Sequence, residues 1–64
     1  MFKKFIQRII EAKDREDAIQ NVFYGTIFDN SGKVIEYGID TAYQHEKITW
    51  KEHQMLLALI EKMA

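Results

Sequence analysis

The segment Ile48-Thr49-Trp50-Lys51-Glu52 decides the fold of this 64-residue chain, because it marks where its last helix begins. Thr49 followed three residues later by Glu52 is the capping-box pattern, in which each side chain accepts a hydrogen bond from the other residue's backbone N–H. Ile48, one residue before the cap, occupies the position of a hydrophobic staple. The segment therefore predicts a helix that runs from Trp50 towards Met63.

Apolar residues on both sides of this segment recur at helical spacing. The stripe on the last helix consists of Leu56, Leu59, Ile60 and Met63, widened by Leu57 and Trp50. Before the segment, Ile39, Ala42 and Tyr43 predict a helix of about two turns, capped by Asp40 or Thr41. Two helices that meet at Ile48 form an αα-corner, and we expect Trp50 to pack in the core there.

The first part of the chain predicts two more helices. Phe2, Phe5, Ile6, Ile9 and Ile10 form the apolar stripe of an amphipathic helix that ends near Ala12. Asp14 is a suitable N-cap for a second helix, whose stripe is Ala18, Ile19, Val22 and Phe23. Gly25 is placed to end that helix in a left-handed conformation.

A β-hairpin is predicted between these two pairs of helices. Strand-forming residues at 26–28 and 33–37 flank the turn sequence Asp29-Asn30-Ser31-Gly32. Gly32 suits the turn position that requires a positive φ. Because two strands alone are marginal in water, the hairpin must pack on the helices or pair with another chain. The predicted fold class is α+β, mostly α: two N-terminal helices, a short β-hairpin and a C-terminal αα-corner.

Composition limits the chain to one small domain, residues 1–64, with a formal net charge of −1 and no cysteine. Disulfides and thiolate metal sites are therefore excluded. The charge is unevenly distributed, because five cations against two acids give +3 through Arg15, whereas four lysines against eight acids give −4 in residues 16–64. The cations of this basic head are Lys3, Lys4, Arg8, Lys13 and Arg15.

The basic head has three interpretations: a membrane-surface helix, a phosphate-binding surface, or an ordinary packing helix with a solvated cationic face. A domain this small needs its large apolar residues in its own core, which favours the packing helix. The last helix presents mixed charge and an apolar middle, which argues against a DNA-recognition helix. Nucleic acid and membrane are thus not the expected partners. Without a signal peptide or an apolar run of membrane-spanning length, the sequence predicts a cytoplasmic protein.

Catalytic and metal-binding patterns are weak. His45 and His53 fall on different predicted helices and match no compact ligand spacing, so we predict no metal site. The Gly25 to Lys33 stretch lacks the spacing of a phosphate-binding loop, and the turn lacks the spacing of a calcium loop. Ser31 has no histidine near it in sequence, and so short a chain has little volume for a pocket. We therefore expect neither an enzyme nor a bound cofactor.

Several short segments resemble small helical proteins encoded by prophages and mobile elements of Gram-positive bacteria. They are Asp17-Ala18-Ile19, Val22-Phe23-Tyr24-Gly25, Ala42-Tyr43, Ile48-Thr49-Trp50-Lys51-Glu52-His53 and Leu56-Leu57. The hairpin segment, residues 26–37, is not part of the pattern. This resemblance implies a bacterial genomic setting and no particular chemistry.

Together these observations predict a small protein-interaction module, with self-association into a homodimer as one form of it. The prediction of an interaction module is based on the open hairpin edge, the uneven charge distribution and the lack of catalytic groups. The candidate interaction surface consists of Lys3, Lys4, Arg8, Lys13, Arg15, Tyr37 and Tyr43. The alternative is a nucleic-acid-associated accessory factor that uses the basic N-terminal helix.

Overall fold

Residues 1–63, which the computed structural model describes, form the predicted α+β, mostly α arrangement. The elements in chain order are α1 (Phe2–Glu11), α2 (Arg15–Ala18) continuing into a π-helical segment (Ile19–Phe23), β1 (Ile27–Phe28), β2 (Val34–Glu36), α3 (Ile39–Gln44) and α4 (Trp50–Glu61). The two N-terminal helices, the hairpin and the αα-corner are thus confirmed.

The core lies between the helices and contains most of the predicted apolar stripes. Its buried residues are Phe5, Ile9, Ala18, Val22, Phe23, Ile39, Ala42, Ile48, Leu56 and Ile60. Ile6, Leu57 and Met63 are partly buried against this cluster. Ile10 is an exception: it was predicted to belong to the apolar stripe of α1 but is 73% exposed. Within residues 1–63 no helix has both the length and the apolar content that crossing a membrane requires.

Helix α2 begins with the predicted cap. The Asp14 carboxylate accepts a hydrogen bond from the Asp17 N–H at 2.9 Å. Asp17 accepts in turn from the Lys13 N–H at 2.9 Å, and that hydrogen bond, followed by one from the Asn21 side chain, lowers the pKa of the Asp17 carboxyl group. Both interactions are short-range, which is why the sequence could predict where this helix begins.

The predicted left-handed end of this helix at Gly25 is wrong. Among the described residues, the glycine with a positive φ is Gly32 and not Gly25. The helix instead widens into the π-helical segment, where the Tyr24 N–H donates to the Ile19 carbonyl at 3.0 Å. Glycine is required at position 25 for space, because a Cβ there would lie 2.3 Å from the Asn21 carbonyl oxygen.

The hairpin has the predicted turn chemistry. Gly32 adopts φ 85°, and one oxygen of Asp29 accepts from the Ser31 N–H, the Ser31 hydroxyl and the Lys33 N–H. The Ser31 hydroxyl, and then the Lys33 amide, hold the pKa of the Asp29 carboxyl below its ordinary value of 3.8. The turn is therefore ordered by its own side chains, independently of the helices.

The base of the hairpin is a close crossing of two chain segments. The Gly38 N–H donates to the Thr26 hydroxyl at 2.9 Å. A Cβ on Gly38 would lie 2.9 Å from both the Gly25 nitrogen and the Phe23 carbonyl oxygen. The absence of a side chain at Gly38 therefore lets the start of α3 approach the end of the π-helical segment.

Helix α3 begins and ends differently from the prediction. Its N-cap is Gly38, without a side-chain cap hydrogen bond, so the prediction of Asp40 or Thr41 as the cap is wrong. After the helix, the Lys47 N–H donates to the Ala42 carbonyl and the Glu46 N–H to the Tyr43 carbonyl, which is a Schellman motif. Glu46 occupies its left-handed position with φ 59°.

The start of α4 confirms the capping box. The Thr49 N–H donates to the Glu52 carboxylate at 2.9 Å, and the Glu52 N–H donates to the Thr49 hydroxyl at 3.1 Å. Ile48 is buried as predicted, but Trp50 is 63% exposed, so the prediction that Trp50 packs in the core is wrong. At 3.6 residues per turn, Trp50 lies about 100° around the helix from the centre of the Leu56–Ile60 stripe.

Loss of this cap is expected to destabilise the fold modestly. Thr49→Ala removes the acceptor for the Glu52 N–H, which should lower the free energy of unfolding by about 1 kcal/mol. Thr41→Ala serves as the control, because Thr41 does not cap α3. Urea unfolding of both variants checks this, and equal midpoints for the two would contradict a capping role for Thr49.

Candidate functional site

An open gap of about 220 Å³ separates α1 from β2. Met1, Lys4, Phe5 and Arg8 line it on one side, and Ile35, Glu36 and Tyr37 line it on the other. Phe5 is buried, whereas Lys4 and Ile35 are exposed. The gap therefore has an apolar floor formed by Phe5, a cationic side chain, Lys4, on one side and an apolar side chain, Ile35, on the other.

Arg8 holds the two sides of this gap together. Its guanidinium donates to the Tyr37 carbonyl oxygen at 3.2 Å and to the Asn21 carbonyl oxygen at 2.7 Å. The same group forms an ion pair with Glu36 at 3.2 Å and lies 5.8 Å from the centre of the Phe5 ring. Asn21 belongs to the last turn of its helix, where carbonyl groups lack intrahelical partners, so Arg8 also caps that end.

The hairpin exposes three large apolar side chains, of which Ile35 lines the gap. Ile27, Phe28 and Ile35 are 50%, 56% and 67% exposed, and we call these three residues the hairpin surface. Ile27 pairs with Glu36 and Phe28 with Val34, which leaves Ile35 as the extra residue of a β-bulge. Because consecutive strand residues point to opposite faces, Ile27 and Phe28 lie on different faces of the hairpin.

Three of the seven predicted interaction residues line the gap, namely Lys4, Arg8 and Tyr37. Lys3 is exposed on the neighbouring position of α1. Arg8 is not the free surface cation that the sequence suggested, since its guanidinium is held by two carbonyl groups and a carboxylate.

The other predicted residues lie elsewhere. Lys13 and Arg15 are exposed around the start of α2, and Arg15 lines a different groove with Tyr24 and Leu57. Tyr43 lines a third groove, at the corner of α3 and α4. The predicted surface is therefore divided between separate regions of the molecule.

Both tyrosines of the prediction are half-buried against a histidine. The rings of Tyr37 and His45 are 5.6 Å apart, and those of Tyr43 and His53 are 4.7 Å apart. His53 also contacts Phe23, and its Nδ1 lies 3.1 Å from the Gln54 side-chain nitrogen. The two histidines thus pack on different tyrosines, and the part of the chain described here contains no group of three potential metal ligands.

The corner groove was not predicted. It has a volume of about 600 Å³, and its lining includes Tyr43, Glu46, Lys47 and the exposed Trp50. This groove is mostly open to solvent, so it differs from the enclosed pocket for which the sequence predicted little volume. The groove exists because the left-handed Glu46 turns the chain sharply between α3 and α4, and a single glutamate carries no sequence signal for that conformation.

The chain was also compared with protein-family models, curated proteins and solved structures. None of these three comparisons gave a match. The functional conclusions therefore depend on the residues of this chain alone.

Proposed function

We propose that this protein is a small protein-interaction module, and that its binding surface consists of the gap between α1 and β2 together with the hairpin surface. The observation that carries this proposal is the exposure of Ile27, Phe28 and Ile35 on an element of only two strands. We assign no catalytic residue and no cofactor to this surface.

The energetic argument starts from the apolar side chains. Full burial of one isoleucine or phenylalanine contributes about 1.5–3 kcal/mol, and the fold leaves half or more of these three side chains in water. An isolated two-stranded hairpin is at best marginally stable, and the sequence required it either to pack on helices or to pair with another chain. Since the helices leave these side chains exposed, contact with another polypeptide is favoured.

The backbone of β1 supports the same conclusion. The Asp29 N–H donates to the Lys33 carbonyl at 2.8 Å, so the backbone of Asp29 faces β2. In an antiparallel pair the neighbouring residue then directs its N–H and C=O away, which places those of Phe28 on the outer edge. A partner strand added at this edge would gain main-chain hydrogen bonds as well as contacts with Phe28.

Site-specific photo-crosslinking in cells tests this proposal. A benzophenone amino acid at position 35 should give a crosslink to a polypeptide, identified by mass spectrometry as a second copy or as another protein. The matched control places it at position 10, because Ile10 is 73% exposed on α1 and does not line the gap. We expect a several-fold higher yield of crosslinked polypeptide from position 35.

Two results would contradict the proposal. One is an equal, low yield from positions 35 and 10, and the other is a crosslink from position 35 to nucleic acid or lipid alone. A photoprobe at position 28 extends the comparison to the other face of the hairpin and to the outer edge of β1.

A nucleic-acid-associated role is the second candidate, supported by the exposure of Lys3, Lys4, Lys13 and Arg15. It predicts binding to a labelled DNA duplex or RNA strand that weakens steeply with salt. Lys3→Glu with Lys4→Glu should then reduce binding, whereas Ile35→Thr should leave it unchanged. Unchanged fluorescence anisotropy of both nucleic acids at low salt would exclude this role.

A further inference from the structure

We infer that the gap between α1 and β2 binds an acidic amphipathic polypeptide segment, with one large apolar side chain seated in the gap and carboxylates beside Lys4 and Lys3. This inference rests on the proposed function and adds the chemistry of the partner. Three features of the gap support it: its volume, its apolar floor and the charges around it.

The gap has room for one large apolar side chain. Its volume is about 220 Å³, whereas an apolar cavity of about 150 Å³ accommodates benzene. Phe5 forms a buried apolar floor, and Ile35 and Met1 stand exposed on opposite sides of the opening. A leucine, isoleucine, methionine or phenylalanine side chain of a partner would cover all three residues at once.

The charges around the gap favour a partner with carboxylates. Arg8 and Glu36 neutralise each other across 3.2 Å, so neither is left to select the charge of a ligand. Lys4, which lines the gap, and Lys3, beside it on α1, are exposed cations. The whole chain has a net charge of −1, so this positive region contrasts with the rest of the molecule. Such complementarity selects among partners and excludes basic segments through like-charge repulsion.

The apolar floor favours an acidic polypeptide over a phosphate backbone. A nucleic acid would use the lysines but gain little from Phe5, Ile35 and Met1, because its backbone is charged along its whole length. An acidic amphipathic segment uses both features. The two ligand classes therefore differ in their dependence on Ile35, and this difference is open to measurement.

Selection of a random peptide library against the full-length protein tests the inference without a known partner. We expect recovered peptides to carry Asp or Glu next to a large apolar residue. Peptide affinity should fall at least about tenfold, equivalent to 1.4 kcal/mol, in Ile35→Thr and in Lys4→Glu. The matched controls Ile10→Thr and Lys51→Glu make the same substitutions at exposed positions outside the gap. We expect peptide affinity to change by less than about twofold in these two variants. Urea unfolding of each variant establishes that it is folded.

Three outcomes would overturn the inference: no selected peptide, selected peptides that are neutral or basic, or affinities that Ile35→Thr and Lys4→Glu leave unchanged. Neutral or basic peptides that still lose affinity in Ile35→Thr would leave the proposed function intact while refuting the acidic partner. A photoprobe at position 35 that crosslinks no polypeptide in cells would instead contradict the proposed function itself.

Discussion

Gly25→Ala is expected to remove most of the folding stability of the protein. A Cβ at position 25 would lie 2.3 Å from the carbonyl oxygen and 2.7 Å from the carbonyl carbon of Asn21. Both are backbone atoms of the π-helical segment, so no side-chain rotation can relieve the contact. Overpacking typically costs about 1–3 kcal/mol, and a fixed backbone contact belongs at the upper end of that range. A domain of this size rarely has more than about 3–5 kcal/mol of stability. Circular dichroism and urea unfolding measure the loss.

The other two glycines provide graded controls. Gly38→Ala places its Cβ 2.9 Å from two backbone atoms and should cost somewhat less, about 2–3 kcal/mol. Gly32→Ala meets open space, so only its positive φ is unfavourable, and we expect about 1 kcal/mol. The order of destabilisation is therefore Gly25, Gly38, Gly32. A loss at Gly25 no larger than that at Gly32 would mean that position 25 is left-handed, as the sequence suggested.

Arg8→Ala is expected to reduce the free energy of unfolding by about 3 kcal/mol. Hydrogen bonds to a charged group contribute about 1.5–3 kcal/mol each, and Arg8 donates to the carbonyl groups of Tyr37 and Asn21. The ion pair with Glu36 adds little because it is partly exposed. Without the guanidinium, β2 loses a direct link to α1 and the gap loses its fixed width. Urea unfolding measures the stability, and amide hydrogen exchange in β2 measures the loosening of the hairpin.

Lys4→Ala is the matched control, because it removes an exposed cation from the same helix and should change stability by less than about 0.5 kcal/mol. Arg8→Lys should restore little of the stability lost in Arg8→Ala, because a single ammonium group cannot reach two carbonyl oxygens in the geometry of the guanidinium fork. Wild-type stability in Arg8→Ala, with unchanged exchange in β2, would show that Arg8 is a surface cation without a structural role.

The features that the sequence predicted correctly depend on near neighbours in the chain. The capping box joins residues three apart, the Asp14 cap does the same, and the Asp29 turn closes within five residues. Such signals are contained in a short stretch of sequence, so they are independent of how the chain folds back on itself. The amphipathic stripes behave similarly, because their spacing identifies most of each buried face, although Ile10 and Trp50 at the stripe margins are exposed.

The incorrect predictions concern backbone and side-chain positions that residue spacing alone does not determine. Gly25 resembles a left-handed helix end, but its lack of a side chain is needed where the π-helical segment closes against it. Asp40 and Thr41 resemble caps, but the cap of α3 is Gly38, two residues before Asp40, at the point where the chain crosses Gly25. Trp50 was expected to widen the apolar stripe and to pack in the core at the αα-corner, whereas its angular position on α4 places it beside the corner groove.

The candidate site also combines features that the sequence predicted with features that only the fold reveals. The sequence predicted Lys4, Arg8 and Tyr37 as candidate interaction residues, but it did not show that α1 and β2 lie side by side. Phe5 and Ile35 were assigned to a helix stripe and a strand, and their joint contribution to one gap arises only from the tertiary fold. The link that creates the gap, from Arg8 to Tyr37, joins residues 29 positions apart.

The central claim is that the protein binds polypeptides at the gap between α1 and β2. It is tested most directly by recording amide NMR spectra while a peptide selected from the random library is added. We predict chemical-shift changes at Lys4, Phe5, Arg8, Ile35 and Tyr37. The single tryptophan, Trp50, lies in the corner groove and provides an internal control, so its indole signal should not move. Shifts confined to Trp50, Glu46 and Lys47, with α1 and β2 unchanged, would contradict the claim and place binding at the corner.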